Sequence, residues 1–216
     1  MAHVNRVISL APQGSPQAQT IKLVAVTGAP GAGTTTVAHM LCNKFNALEM
    51  SMDSQPRKEM EYRHGGKKLS NEDYRDYLNY RLHMARQDKS HWLRSFHKRL
   101  KQVVAQNSHH RIVITGVMTP HELEYCRALG AKLVHLTAPA DIRRRRIGLR
   151  YLNPPHPGQE FMDNLMRNHP EKWDLVIDSD EPYGEFIHSA QVAMCGLLEI
   201  PNPKQEWGSW PPRPLS

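Results

Sequence analysis

Gly28, Gly31 and Gly33, followed at once by Thr34, Thr35 and Thr36, are the residues whose types and spacing most directly imply chemistry in this 216-residue chain. In Gly28-Ala29-Pro30-Gly31-Ala32-Gly33 the glycines allow backbone N–H groups to turn inward, and such a loop cradles phosphate oxygens. The match to G-x-x-x-x-G-K-[ST] consists of Gly28, Gly33 and Thr35, with Thr34 at the lysine position. The cradle suits the triphosphate of ATP. The Thr35 hydroxyl stands where Mg²⁺ is held, and Thr36 is a second candidate for the metal. Thr34 cannot supply the point charge that a lysine brings to the β- and γ-phosphates. The alternative is an ordinary glycine turn, against which the flanking strand and helix argue.

Phosphoryl transfer also needs cations for developing charge and a group that orients or deprotonates the attacking hydroxyl. Arg143, Arg146 and Arg150 recur at i, i+3 and i+7, on one face of a helix, and forked guanidinium groups match phosphate oxygens. Arg146 and Arg150 are the candidates for catalysis; the alternative is a solvated basic face. Asp53 ends the second strand, at the edge where open α/β sheets bind ligands, and is the candidate base. It could equally be a turn or cap aspartate. Around Gly65-Gly66 lie Arg57, Lys58, Arg63, His64, Lys67 and Lys68. Arg57, Arg63 and Lys67 are the candidates for holding the acceptor, as a monophosphate or as a DNA backbone. The alternative there is a solvated loop.

The elements that must position these groups follow from periodicity. Ile21–Val26 reads as a buried strand, and Thr34 opens a helix with Val37, Leu41, Phe45 and Leu48 on one face. The helix N-terminus directs its positive dipole end at the bound anion. Ala47–Met52 is a second strand. The stretch to Leu69 reads as a loop or short helix. Ser70 or Asn71 can cap the next helix, which carries Tyr74, Tyr77, Leu78, Arg81, Leu82 and Ala85 at helical spacing. Trp92, Phe96, Leu100 and Val104 mark another. Arg111–Thr115 is a third strand, Pro120 to Leu129 a helix stopped by Gly130, and Lys132–Thr137 a fourth strand. Pro139 opens the arginine-bearing helix. A proline-rich loop, YLNPPHPG, leads to a short helix over 158–168. Trp173–Asp178 is a fifth strand and Pro182–Glu199 the last helix. Strands alternating with helices predict an α/β fold with a parallel five-stranded sheet covered on both faces. Residues 1–20 read as a flexible arm, 21–200 as the domain, and 201–216 as a proline-rich tail whose Trp207 and Trp210 could pin it to the body.

Apolar residues make up 39% of the chain without a long uninterrupted run, which excludes a membrane span. Cys42, Cys126 and Cys195 lack metal spacing and suit packing in a reducing cytoplasm, and the 13 histidines lack ligand spacing. A net charge of +7 and a pI of about 9.4 favour an anionic partner, either a nucleotide or nucleic acid.

The loop GAPGAGTTT looks like the lysine-free loops of archaeal adenylate and cytidylate kinases, which are active enzymes. IVITGVMTPHELEYCRALGAKLVHLTAP, followed by WDLVIDSDEPYGEF, resembles phage deoxynucleoside monophosphate kinases and their relatives, in pieces from Ile21 to Ala190. The resemblance implies a P-loop NTPase-type nucleotide-kinase fold, ATP with Mg²⁺, and a place for Asp178 to Glu181 beside the donor base; capping of the last helix explains those acidic residues equally well. Two positions depart from the pattern: the family's aspartate falls on Gly116 and its arginine on Met118. With Thr34, three charged positions are neutral, so either the acceptor is unusual or the site is degraded. The nearest family picture is the phage P-loop kinases that phosphorylate hydroxymethyluracil in DNA. A free deoxynucleotide is the alternative acceptor, and an inactive nucleotide- or DNA-binding module is the alternative of another class.

Overall fold

The structure, a computed structural model, describes residues 21–70, 73–106, 110–147 and 161–200. The N-terminal arm, Asn71, Arg150, the proline-rich loop and the tail with its two tryptophans lie outside the described residues. Strands β1 (Lys22–Gly28), β2 (Leu48–Ser51), β3 (Arg111–Thr115), β4 (Lys132–Thr137) and β5 (Leu175–Asp178) form one parallel sheet in the order β2-β3-β1-β4-β5. The expected five-stranded parallel sheet is thus present, and the α/β P-loop fold class holds.

Side chains that alternate along the strands divide the core in two. Val24, Val26, Val113, Val134 and Leu136 pack beneath α1 (Thr34–Phe45) and α8 (Tyr183–Leu198). Leu23, Ala25, Ile112, Ile114 and Leu133 face Phe96, Leu100 and Val104 of α4 (His91–Gln106) and Leu123 and Cys126 of α5 (Pro120–Ala128). Burial pushes the Cys126 thiol far above its ordinary range, as suits a packing residue.

Between β2 and α4 stand α2 (Ser54–Arg63) and α3 (Tyr74–Gln87), joined over Met60, Tyr77 and Leu78. The stretch read as a loop or short helix is therefore a helix of 10 residues. Leu48 is corrected from the α1 face to β2: Asn46 takes a left-handed conformation at φ 50°, its N–H bonds the Leu41 carbonyl, and α1 ends at Phe45. Asp73, not Ser70, stands immediately before α3, and its carboxylate accepts from the Ser70 N–H and hydroxyl, each at 2.7 Å. The arginine-bearing helix is α6 (Ala140–Ile147), followed by α7 (Phe161–Asn168). No described helix is long and apolar enough to cross a membrane.

Candidate active site

All five strands run parallel, so their carboxyl ends share one edge, and there the sheet delivers both halves of the site. β1 ends at Gly28 and passes into the glycine loop; β2 ends two residues before Asp53. The loop is closed by an Ala32 N–H to Ala29 carbonyl bond of 2.9 Å. Gly33 is the N-cap of α1 and has no side chain to cap it, so no side chain satisfies the amides of the first turn. An uncapped helix start behind a glycine loop fits a phosphate group. Thr35 is exposed in that turn, which leaves its hydroxyl accessible to a metal ion, while Thr34 and Thr36 are half-buried.

α6 lies across the loop. A Cβ on Gly31 would stand 2.8 Å from the Arg143 carbonyl oxygen, and its φ of 84° also favours glycine, so the loop can touch the helix backbone only there without a side chain. Arg143 is buried, and its Nε donates to the Ala138 carbonyl at 3.1 Å. Arg146 reaches the loop itself. Its Nη1 donates to the Gly31 carbonyl at 3.3 Å and to Ser179 Oγ at 2.9 Å, and its Nη2 to the Ser179 carbonyl. Ser179, buried just after β5, donates in turn to the Ala32 carbonyl at 2.8 Å. Arg143 thus meets the loop through its backbone and Arg146 through its guanidinium.

The second half of the site is a buried ion network around Arg81, whose side chain is 0% exposed. Its guanidinium donates to Asp53 Oδ1, to the Gly116 carbonyl at 2.6 Å, to Met118 Sδ at 2.9 Å and to Glu122 Oε1 at 2.7 Å. Burial works against its charge, but Glu122 and then Asp53 outweigh burial and hold it firmly protonated. Tyr77 also donates to Asp53 Oδ1. Burial first, and then the Asp53 charge, push this phenol far above the usual tyrosine range, so it remains a donor. Glu122 is at once partner and cap: its Oε2 accepts from the N–H groups of Met118 at 2.7 Å and Thr119 at 3.0 Å, within the Thr119 capping box of α5.

Asp53 thus has one oxygen held by Tyr77 and Arg81. The other, Oδ2, lies 3.7 Å from Arg57, whose guanidinium covers the Tyr77 ring at 5.1 Å. The Asp53 side chain is 24% exposed, enough for a hydroxyl to reach it. The candidate acceptor residues separate. Arg57 stands beside Asp53, Arg63 lies over the Tyr80 ring at 4.6 Å on another side of α2, and Lys67 is exposed beyond the helix.

Two of the three neutral positions acquire an explanation. Gly116 has a φ of 72°, and a Cβ there would come within 3.0 Å of the Asp53 nitrogen and of Ser51 Oγ, and 3.1 Å of Asp53 Cβ. Asp53 occupies the space a side chain at position 116 would need. At Met118, the guanidinium of Arg81 contacts the sulfur and brings positive charge to that position from α3. Arg81, Tyr77 and Glu122 belong to the candidate site without being marked by any motif. An arginine on the apolar stripe of a helix was the available signal for Arg81, since a charge on a buried face requires a partner.

The profile of the AAA domain family matches residues 24–167. No curated protein matches the chain. Among solved structures it is similar to shikimate kinase from Bacteroides thetaiotaomicron, with 18% identity over 83% of this chain and 99% of that one and a TM-score of 0.48. It is similar also to a gluconokinase from Sinorhizobium meliloti 1021, with 15% identity, 84% and 95% coverage and a TM-score of 0.48. Dephospho-CoA kinase from Campylobacter jejuni gives 11% identity, 82% and 97% coverage and a TM-score of 0.49.

Proposed function

The chain belongs to the AAA domain family of P-loop proteins, and from that premise we propose that it transfers the γ-phosphate of ATP to a hydroxyl of a deoxynucleotide-class acceptor, with hydroxymethyluracil in DNA as the first candidate. The observation that carries the reading is the pairing, on one sheet edge, of a phosphate cradle with a carboxylate held by two buried donors, Tyr77 and Arg81. The loop from Gly28 to Thr35 holds the triphosphate, and the Thr35 hydroxyl serves Mg²⁺. When bound, Mg²⁺ neutralises charge on the phosphate oxygens.

Asp53 receives the acceptor hydroxyl on Oδ2. Tyr77 and Arg81 fix its Oδ1, so the carboxylate is held in one orientation for that hydroxyl, which suits a loose phosphoryl-transfer transition state. Arg57 stands beside that oxygen to meet acceptor phosphate. Arg146, in contact with the loop, brings the positive charge that Thr34 lacks. An acceptor base within a duplex has to leave the stack to reach Asp53.

A second reading, a free deoxynucleoside monophosphate kinase, gains from the same network. Asp53 and Arg81 supply charge beside Gly116 and Met118, where the residues themselves are neutral. An inactive binding module is disfavoured by that retained charge. Label transfer from γ-labelled ATP with Mg²⁺ separates the readings, with hydroxymethyluracil-containing DNA and free deoxynucleoside monophosphates offered in parallel. Label on DNA alone is the expected outcome. Label on monomers alone selects the second reading, and label on neither selects the module. Asp53→Asn is expected to lower transfer by about 10²- to 10⁴-fold with ATP binding retained; an active variant removes Asp53 from the mechanism.

A further inference from the structure

From Ser54 to Gln106 the chain carries 13 Lys and Arg against 6 Asp and Glu, an excess equal to the formal +7 of the whole sequence. The basic character is therefore a property of the α2–α3–α4 segment, and the remainder of the chain is balanced. On this segment α2, α3 and the start of α4 enclose an open groove of about 690 Å³, lined by Lys58, Tyr62, Arg63, Tyr80, Met84 and His91. Lys58 and Arg63 are exposed along it, and the Tyr62 side chain projects at 83% exposure, the largest exposed aromatic surface among the described residues. An aromatic ring of that size left in water beside two cations is a poor packing solution and a good stacking platform.

One acidic side chain lines the groove, and it is already engaged. Glu59 accepts from Trp92 Nε1 at 2.9 Å, Tyr80 Oη at 3.2 Å and Gln55 Nε2 at 3.2 Å, with His91 Nε2 at 3.5 Å. Its charge is met from within the protein, so the exposed rim of Lys58 and Arg63 sets the field that a ligand meets.

We propose that this groove binds single-stranded DNA, with bases stacking on Tyr62 and backbone phosphates paired with Lys58 and Arg63. The inference rests on the reading of DNA as acceptor and adds the path by which the strand arrives. α2 begins directly after Asp53, and its 10 residues span about 15 Å, room for a few nucleotides led along one helix towards the carboxylate. An unpaired strand also presents its base to Asp53 without the cost of extrusion. Duplex DNA keeps its base faces stacked and offers Tyr62 nothing to stack on.

The test is fluorescence anisotropy of a short labelled oligothymidine with the full chain over a salt series, without ATP. Binding is expected to weaken as salt rises, with a slope of about 0.7 per phosphate contact. The double variant Lys58→Ala/Arg63→Ala is expected to lower that slope by about 1.4. Tyr62→Ala should weaken binding by about fivefold or more, as loss of one stacked base requires, and Tyr62→Phe should restore it. Preference for the matching duplex, equal binding of heparin, which has charge without bases, or indifference to Tyr62→Ala would each overturn the groove, as would no binding at all. Label transfer distinguishes the two failures. Strand binding with no transfer to any acceptor defeats the kinase and keeps the groove. Transfer to free monophosphates without strand binding defeats the groove and keeps the kinase.

Discussion

Arg81 carries more of the candidate site than any residue legible in advance. It joins Asp53 at the start of α2, the Gly116 carbonyl after β3 and Glu122 from α5, and so positions a carboxylate it follows by 28 residues. Removing one member of a buried ionic group leaves the others uncompensated, which typically costs about 3–5 kcal/mol. Arg81→Met is therefore expected to lower unfolding free energy by about that amount in urea titration. Arg81→Lys should recover only part of the loss, because a single ammonium cannot serve two carboxylates and a carbonyl in the same planar fork. If Arg81→Met is as stable as the parent, the network does not hold the site together. Asp53 was readable because strand ends in parallel sheets collect ligand-binding groups. Arg81 was not, because its function depends on which strands the helix crosses, and that is set by tertiary packing. The glycine loop was the most legible part, since its residues are contiguous and its chemistry belongs to the backbone.

At the scale of elements, β3 and β4 occupy the residues their apolar runs predict, and the expected boundaries of β1 and β2 shift by one or two residues. β1, β3 and β4 are buried along almost their whole length, so sequence and environment agree, while β2 at the sheet edge buries only Met50. The sequence SQPRKEMEYR leaves α2 open between loop and helix because it has no apolar stripe; only Pro56 and Met60 are buried. Its place is secured by Met60 against Tyr77 and Leu78, and by polar contacts with α3 and α4 that no periodicity reveals. The junction of β3 with the β2–α2 turn shows why a neutral residue at position 116 is no defect. Gly116→Asp would place the family's aspartate in a left-handed backbone and against Asp53. A cost of about 1–3 kcal/mol is expected from the backbone alone, read as a melting temperature several degrees lower, and label transfer should fall. A Gly116→Asp variant that is as stable as the parent and transfers faster would mean that position 116, not Asp53, is the intended site of the carboxylate.

The whole molecule joins an apolar sheet core to a basic helical segment held by a polar hub, and the two parts should answer acid differently. Glu59 is that hub, accepting bonds from α2, α3 and α4. Burial raises its pKa, but the bonds from Trp92, Gln55 and Tyr80, with the charge of His91, outweigh burial and bring it below the usual 4.5. A depressed carboxylate contributes its stability in full above 4.5 and loses it as pH falls through the lower folded value. His64, His83, His91 and His97 lie in this same segment, which already holds the chain's excess of basic charge. His91 Nε2 lies 3.5 Å from Glu59, within reach to favour its ionised form. His97, depressed by burial and then by Lys101, favours its neutral form when folded, so it too withdraws stability as pH drops below 6.5. Val24, Val26, Val113 and Val134 of the sheet core carry no ionisable side chain. On acidification below pH 4.5, amides of α3 and α4 are therefore expected to lose hydrogen-exchange protection before those of β1 and β3. Glu59→Gln should expose the helices at neutral pH and flatten that difference. Simultaneous loss of protection in sheet and helices would mean that the segment unfolds only with the core and that Glu59 is no hub.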